Sequence, residues 1–249
     1  MHRVGLRLGN PEKPASLALR RIADIEHSFD VFNIAAPTDT SSRERVSPVD
    51  TNAAPRLVEL SAHELRRRLD EALAIYVEAM GYPRGTEFHR APMWTEHTSR
   101  PGWRAVAALS PAAPGQHERM VGIAYGYRGA AHQWWHQQVR DGMSRSGADD
   151  QQIHEVLGDY FELTELHVSP GAQGHGTGEA MLLALLAGRP ERGVLLSTPE
   201  VPEEDNRAWR LYRRLGFTDV VRHFTFTGDS RAFAVLGRPL PLDHHSLPR

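Results

Sequence analysis

The pattern of apolar and polar residues after residue 60 has the period of an amphipathic helix. Its apolar positions are Leu65, Leu69, Leu73, Tyr76 and Met80. Ser61 with Glu64 three positions later forms a capping box, which is typical of a helix start, and Gly81 followed by Pro83 ends the pattern. The sequence therefore predicts one helix over residues 61–80.

Short apolar runs farther along the chain predict β-strands bounded by turn-forming residues. The runs are GWRAVAAL from Gly102, RMVGIAYGYRG from Arg119, YFELTELHV from Tyr160, GVLLST from Gly193, TDVVRHFTFTG from Thr218 and RAFAVLGRPL from Arg231. The loop between the first two contains Pro and Gly, which predicts a hairpin. The last two form a predicted antiparallel pair.

Helical patterns lie between these strands. The stretch 86–99 is ambiguous and is interpreted as a second short helix, and the stretch 130–158 is polar and partly helical. A glycine-rich segment opens a helix that continues to about Gly188. The run NRAWRLYRRLGF predicts another helix, which Gly216 ends.

The two ends of the chain lack these patterns. The stretch IAAPTDTSSRERVSPVDTNAAP, from Ile34, is rich in Pro, Ser, Thr and Asp without periodicity, which is typical of a linker. We therefore predict a flexible N-terminal extension at 1–56, one domain over residues 57–240 and a short C-terminal tail at 241–249.

The amino-acid composition argues against several classes of function. The 249 residues carry 29 basic and 31 acidic side chains, and this balance argues against a general role on nucleic acid or membrane surfaces. The sequence has no cysteine, which excludes disulfides, thiolate zinc sites and a cysteine nucleophile. No apolar run approaches the roughly 20 residues of a membrane helix, and the basic start lacks the apolar block of a signal peptide. The expected location is the cytoplasm.

A glycine-rich turn joins a predicted strand to a predicted helix. Gly174, Gly176 and Gly178 alternate in the segment SPGAQGHGTGEAMLLALL, which starts at Ser169. Glycines without Cβ atoms let an anion approach the backbone, and the N–H groups at the positive end of a helix dipole bind it. This arrangement is typical of phosphate binding.

The spacing of the residues in this turn can be compared with three phosphate-binding sequence patterns. A dinucleotide fingerprint needs a third glycine where Glu179 stands, and a P-loop needs a lysine, of which the chain has only Lys13. The pattern that fits is Q/R-x-x-G-x-G/A, with Gln173, Gly176 and Gly178.

A second motif lies one predicted strand farther along. It has the form N-x-A-x-x-x-Y-x-x-x-G-F and consists of Asn206, Ala208, Tyr212, Gly216 and Phe217. In this order the two motifs resemble those of the GNAT superfamily of acetyl-CoA-dependent N-acetyltransferases. The resemblance covers residues 57–240 except for the stretch 130–158. It implies an α/β fold with a central mixed β-sheet flanked by helices, and with a splayed strand pair that holds CoA.

The resemblance also implies acetyl-CoA as co-substrate and no metal. Backbone groups of Leu166, His167 and Val168 would polarise the thioester carbonyl and hold the pantetheine arm. The other implied cofactor-binding residues are Gln173, Gly174, His175, Gly176, Thr177, Gly178, Asn206 and Tyr212. Gln173 stands where the family more often has arginine, so we expect backbone donors to carry most of the pyrophosphate contact.

Acetyl transfer to an amine requires that a proton leave the amine and that a proton reach the leaving thiolate. By the resemblance Tyr212 is the candidate acid, and Glu162 and Glu165 are the candidate bases. The two carboxylates are three positions apart, so in an extended strand they should point to opposite faces, with only one toward the acceptor. Glu162 is the preferred base. A water-mediated route is the third alternative.

Other residues support weaker hypotheses. Trp134 and Trp135 could form a wall of the acceptor pocket, a core contact or a dimer contact, and His132 with His136 has helical spacing for a metal but no evident third ligand. The acidic run before Asn206 could complement the helix dipole or guide a cationic amine. Its acidic residues are Glu200, Glu203, Glu204 and Asp205.

Taken together, these features predict an enzyme that moves the acetyl group of acetyl-CoA directly to a primary amine. A protein lysine and a small-molecule amine, aminoglycoside-like or polyamine-like, both remain open as acceptors. The non-enzymatic alternatives are a CoA-binding sensor without turnover and an interaction protein. Members of the family often form dimers, so a homodimer is also open.

Overall fold

The computed structural model describes residues 54–111 and 117–242 of the chain. Residues 1–53, which make up nearly all of the predicted extension, and residues 243–249 of the predicted tail lie outside the described residues. Within the described ranges no helix is long and apolar enough to cross a membrane.

Seven strands form one mixed sheet in the order β1-β2-β3-β4-β5-β7-β6. The strands are β1 (Arg56–Leu60), β2 (Arg104–Leu109), β3 (Met120–Arg128), β4 (Tyr160–Val168), β5 (Gly193–Pro199), β6 (Thr218–Phe224) and β7 (Phe233–Pro239). Only the β4–β5 pair is parallel, and all other neighbours are antiparallel. The predicted mixed sheet is confirmed, as are the hairpin of β2 and β3 and the final antiparallel pair.

Helices cover both faces of this sheet. They are α1 (Ala62–Arg67), α2 (Leu69–Met80), α3 (Thr86–His97), α4 (Trp134–Arg145), α5 (Asp150–Leu157), α6 (Thr177–Leu186) and α7 (Arg207–Arg214). One core cluster lies beneath α6 and α7, and a second lies beneath α2 and α3 on the opposite face. A third packs α4 and α5 against the β6–β7 end of the sheet.

The N-terminal part differs from the prediction in two respects. The capping box is present, because Ser61 Oγ accepts from the Glu64 N–H and Glu64 Oε2 accepts from the Ser61 N–H. The single predicted helix is nevertheless interrupted at Arg68, whose φ of −111° and ψ of 19° are not helical. Tertiary contacts accompany this break, since the Arg68 guanidinium reaches the Glu118 carbonyl, 3.2 Å away. In addition, β1 was not predicted: its five residues pair with β2 along the sheet edge.

The parallel strands β4 and β5 diverge soon after they meet. Their ladder covers Tyr160–Glu162 of β4. From Leu163 to Val168, β4 has no ladder partner on that side among the described residues, although it stays paired with β3. The predicted splayed strand pair is therefore present, and its gap exposes the backbone of β4.

A β-bulge changes the direction of the side chains along β4. The strand has one extra residue relative to β3, at Thr164, so that Glu162 lies opposite Tyr127 and Glu165 lies opposite Tyr125. Because Tyr125 and Tyr127 are two positions apart, they share a face, and so do the two glutamates. The prediction that Glu162 and Glu165 point to opposite faces is wrong, because it assumed a regular strand.

The close approach of β3 to this bulge makes Gly126 a sensitive position. A Cβ atom on Gly126 would lie 2.1 Å from the Glu162 carbonyl oxygen. We expect Gly126→Ala to lower the free energy of unfolding by about 3 kcal/mol, since the clash involves backbone that must move. Urea denaturation would measure the change.

Gly171→Ala is the matched control, because a Cβ atom there meets nothing within 4 Å. It should change stability by no more than about 0.5 kcal/mol. Equal effects of the two substitutions would contradict the proposed constraint at the bulge.

Candidate active site

A cavity of about 200 Å³ opens where β4 leaves β5, and we name it the acceptor pocket. Its floor is the stretch 162–167 of β4. Aromatic side chains form much of its wall: Tyr76, Tyr82, Tyr127, Trp134, Trp135, Tyr212 and Phe233. The acceptor pocket therefore contains the point where β4 leaves β5, the β-bulge and the two candidate glutamates.

Glu162 is the more deeply placed of the two carboxylates, with 3% of its surface exposed. The Tyr127 hydroxyl donates to Glu162 Oε1 at 3.0 Å and accepts from Arg100 Nη1 at 2.8 Å. Burial by itself would lower the pKa of Arg100. The interactions with Tyr127, Glu96 and Glu162 outweigh this effect and raise the Arg100 pKa. The carboxylate is thus held in a fixed orientation with a cation nearby.

Glu165 forms a close pair with a neighbour on its own strand. Its Oε2 lies 2.5 Å from His167 Nε2, and both side chains are nearly buried. The His167 ring meets the edge of Tyr76, with 5.1 Å between the centroids. The side chain of His167 was missed by sequence reasoning, which used only its backbone. Its spacing of two from Glu165 was the available signal.

Tyr212 reaches the acceptor pocket from α7. Burial raises the pKa of its hydroxyl, and the charge of Glu165 raises it further, so the hydroxyl stays protonated at neutral pH. The ring also packs against Phe217, with 5.6 Å between the centroids. Tyr212 therefore both fills the core and offers a proton donor to the pocket.

The glycine turn, residues 173–178, leads from the end of β4 into α6. Gly174 and Gly176 have φ values of 85° and 77°, in the left-handed region that favours glycine, and Gly176 is the N-cap of α6. A Cβ atom on either would meet nothing within 4 Å, so the turn is open on its outer side. In the described parts of the chain, the backbone N–H groups of residues 174–179 have no acceptor. These donors fit a phosphate group.

The flanks of the glycine turn are held by side chains. Gln173 Nε2 donates to the Val168 carbonyl at 2.8 Å, and Gln173 Oε1 accepts from Arg207 Nη1 at 2.7 Å. Asn206 caps α7 by accepting from the Trp209 N–H at 2.9 Å, as its position in the sequence predicts. The side chain of Gln173 is thus occupied by protein contacts.

The remaining cofactor candidates take different positions. Leu166, His167 and Val168 lie on the part of β4 that faces the gap, and His175 is exposed in the turn. Thr177 is buried, and its hydroxyl donates to the Ala172 carbonyl at 3.4 Å, which leaves only its backbone facing a ligand. The structure brings all of these residues to the C-terminal end of β4, beside the gap.

The tryptophan pair and the histidine pair both belong to the helix α4 region. Trp134 and Trp135 line the acceptor pocket, and Trp135 Nε1 also donates to Ser197 Oγ at 3.2 Å, so the pocket-wall and core interpretations are compatible. His136 Nδ1 lies 3.2 Å from the Tyr160 hydroxyl. Among the residues that the structure describes, no group of three metal-ligating side chains occurs.

The acidic run before Asn206 is largely paired with arginines. Glu200 pairs with Arg222 at 2.6 Å, and Glu204 pairs with Arg213 at 2.7 Å. These partners reduce the negative field of the loop. The structure therefore favours a bracing role for the loop over guidance of a cationic amine.

Comparisons with known proteins agree with this fold. A family model described as an acetyltransferase (GNAT) domain matches residues 130–219. A GCN5-like protein acetyltransferase of Mycobacterium tuberculosis is 55% identical over 202 residues, which cover 75% of this chain and 98% of that protein.

Among solved structures, one with low sequence identity shares the fold. A candidate phosphinothricin N-acetyltransferase is 15% identical, with a TM-score of 0.50, over 75% of this chain and 99% of its own. A phosphinothricin acetyltransferase of Sinorhizobium meliloti, solved with acetyl-CoA, is 20% identical, with a TM-score of 0.46, over 78% and 93% of the two chains.

The splayed mixed sheet and the open glycine turn define a transferase that uses an acyl-CoA. The sequence of this chain aligns with nearly the whole of the mycobacterial relative at 55% identity. The chain therefore belongs to the GNAT superfamily of acetyltransferases. It is accordingly an acyltransferase, and acetyl-CoA is its acetyl donor.

A buried histidine in the wall of the acceptor pocket should make stability depend on pH. His97 is almost fully buried, and burial, followed by the charges of Arg100 and Arg90, holds its pKa well below the ordinary value. Below about pH 6.5 the unfolded chain gains a proton at this residue while the folded protein does not. The free energy of unfolding therefore falls as the pH falls from that value.

Between pH 7.5 and pH 5.5 we expect wild type to lose about 1 kcal/mol more than His97→Gln. Urea denaturation at both pH values measures the difference. The control is His63→Gln, which removes an exposed histidine. If His97→Gln and His63→Gln lose stability equally with falling pH, the assignment of the effect to His97 is wrong.

Proposed function

We propose that the enzyme acetylates the primary amine of a protein lysine side chain by direct transfer from acetyl-CoA. The observation that carries this proposal is the position of Glu162 and Glu165 on one face, at the floor of an aromatic-walled pocket. A lysine side chain has a long apolar stem and a cationic end. Aromatic walls suit the stem and attract the cation, and carboxylates at the floor suit the ammonium group.

The name of the mycobacterial relative, which describes a GCN5-like protein acetyltransferase, supports the same acceptor class. A small-molecule amine is the second candidate, because the pocket volume of about 200 Å³ suits a compact ligand. A CoA-binding sensor without turnover is the third. The sensor alternative is disfavoured by the retention of both glutamates and of the Tyr212 hydroxyl in one pocket.

The residues of the chain divide the proton transfers between them. Acetyl-CoA, when bound, supplies a thioester whose carbonyl carbon forms the new C–N bond as the C–S bond breaks. Glu162 takes a proton from the ammonium group, which frees the nitrogen lone pair. The Tyr212 hydroxyl gives a proton to the sulfur that leaves, and the second proton that the nitrogen loses as the amide forms restores this hydroxyl. Backbone N–H groups at Leu166–Val168 orient the carbonyl.

Direct transfer also suits a chain without cysteine, which offers no thiolate to carry the acetyl group. We further propose that the enzyme works in the cytoplasm, and a homodimer stays one alternative for its oligomeric state. Analytical ultracentrifugation of the purified protein would test the oligomeric state.

Replacement of each carboxylate tests the assignment of the base. We expect Glu162→Gln to lower kcat at pH 7 by roughly 100-fold, the contribution of a positioned general base, and Glu165→Gln to have a smaller effect. The difference in kcat between wild type and Glu162→Gln should become smaller at high pH, because the amine is then deprotonated without a general base. The measurement is kcat from pH 6.5 to 10 with a lysine peptide.

The matched control is Glu155→Gln, which removes an exposed carboxylate on α5. If Glu162→Gln and Glu165→Gln both keep the turnover of wild type at neutral pH, the carboxylate base is excluded. Proton removal would then occur through water.

Labelled acetyl-CoA identifies the acceptor class. The enzyme is incubated with a cell lysate and acetyl-labelled acetyl-CoA, and macromolecules are then separated from small molecules. We expect label on lysine side chains in the protein fraction, above the level seen without enzyme and with Glu162→Gln. Enzyme-dependent label confined to small molecules would contradict the lysine proposal, and no acceptor-dependent label would favour the sensor.

A further inference from the structure

The arginines of α7 differ in what they contact. The helix carries Arg207, Arg210, Arg213 and Arg214. Arg210 pairs with Asp205, Arg213 with Glu204 and Arg214 with Glu179. Arg207 instead donates to a neutral group, the side-chain amide oxygen of Gln173, and it has no carboxylate within ion-pair distance among the described residues.

The position of Arg207 places its charge at the glycine turn. It is the first residue of α7 and is exposed, and its Nη1 lies 2.7 Å from Gln173 Oε1. One turn farther along the helix, Leu211 lies beside the start of α6, with its Cδ2 atom 3.7 Å from where a Gly178 Cβ would be. The same face of α7 therefore runs along the turn, so Arg207 borders the backbone donors of residues 174–179.

The amide of Gln173 fixes the guanidinium from the other side. Gln173 Nε2 donates to the Val168 carbonyl at 2.8 Å, so its Oε1 is oriented toward Arg207. A guanidinium has five N–H donors, and the amide uses one of them. Because no carboxylate in the described ranges pairs with it, Arg207 keeps most of its donors for an anion, together with an uncompensated charge.

We propose that Arg207 binds the diphosphate of acetyl-CoA and supplies the cation that Gln173, in its place in the turn, does not. Backbone donors of the glycine turn were expected to carry most of the contact with the diphosphate. In this proposal the Arg207 side chain, from another helix, contributes to the same contact. Gln173 acts as a positioning residue for Arg207. The inference depends on acetyl-CoA as co-substrate and is independent of which amine accepts the acetyl group.

Calorimetric titration with CoA, without any acceptor, tests the proposal directly. We expect Arg207→Gln to raise the Kd for CoA roughly tenfold, since a charge-assisted hydrogen bond to phosphate is lost, and Arg207→Lys to stay within about threefold of wild type. The same loss should appear with 3′-dephospho-CoA, which keeps the diphosphate. Melting temperatures without ligand check that the variants fold.

Arg210→Gln is the matched control, because it removes a charge from the same helix that Asp205 already neutralises. It should change the Kd for CoA by no more than about twofold. A second variant relocates the charge: Gln173→Arg in the Arg207→Gln background should return the Kd toward the wild-type value.

Three results would overturn the proposal. An unchanged Kd in Arg207→Gln would remove Arg207 from the cofactor site. A loss seen with CoA but not with 3′-dephospho-CoA would place Arg207 at the 3′-phosphate instead of the diphosphate. An equal loss in Arg210→Gln would assign the effect to the overall charge of α7.

Discussion

The separation of β4 from β5 is the constraint on which the site depends. The two strands pair at Tyr160–Glu162 and then diverge, while β4 stays hydrogen-bonded to β3. Backbone groups on one side of β4 therefore face a gap instead of a neighbouring strand, and such an edge can pair with an extended ligand. The same divergence leaves room for the acceptor pocket, and β4 leads from there into the glycine turn.

The bulge at Thr164 turns both candidate carboxylates toward this gap. Because it inserts one residue into β4, Glu162 and Glu165 both face the pocket, and His167 follows on the same face. A buried hydrogen bond from Tyr127 orients Glu162, and burial keeps the Tyr212 hydroxyl protonated. Two carboxylates and a protonated hydroxyl thus lie in one largely buried pocket, where charge interactions are stronger than in water.

Charge pairing around the second motif supports the cofactor side of the site. Glu200 and Glu204 before α7 are joined to Arg222 and Arg213, which braces the loop that carries Asn206. Most arginines of α7 are neutralised in this way, and Arg207 is the exception at the glycine turn. The start of this helix therefore carries a cap and a cation beside the glycine turn, and its middle carries the Tyr212 hydroxyl into the pocket.

The sequence by itself determined the elements whose signals are local. The glycine turn, the Asn206 cap and most strands were predictable, because left-handed glycines, cap side chains and apolar periodicity act within a few residues. The break at Arg68, the strand β1 and the shared face of the two glutamates were decided by tertiary structure. Each depends on pairing with distant backbone, and a single extra residue in β4 reverses every side chain beyond it.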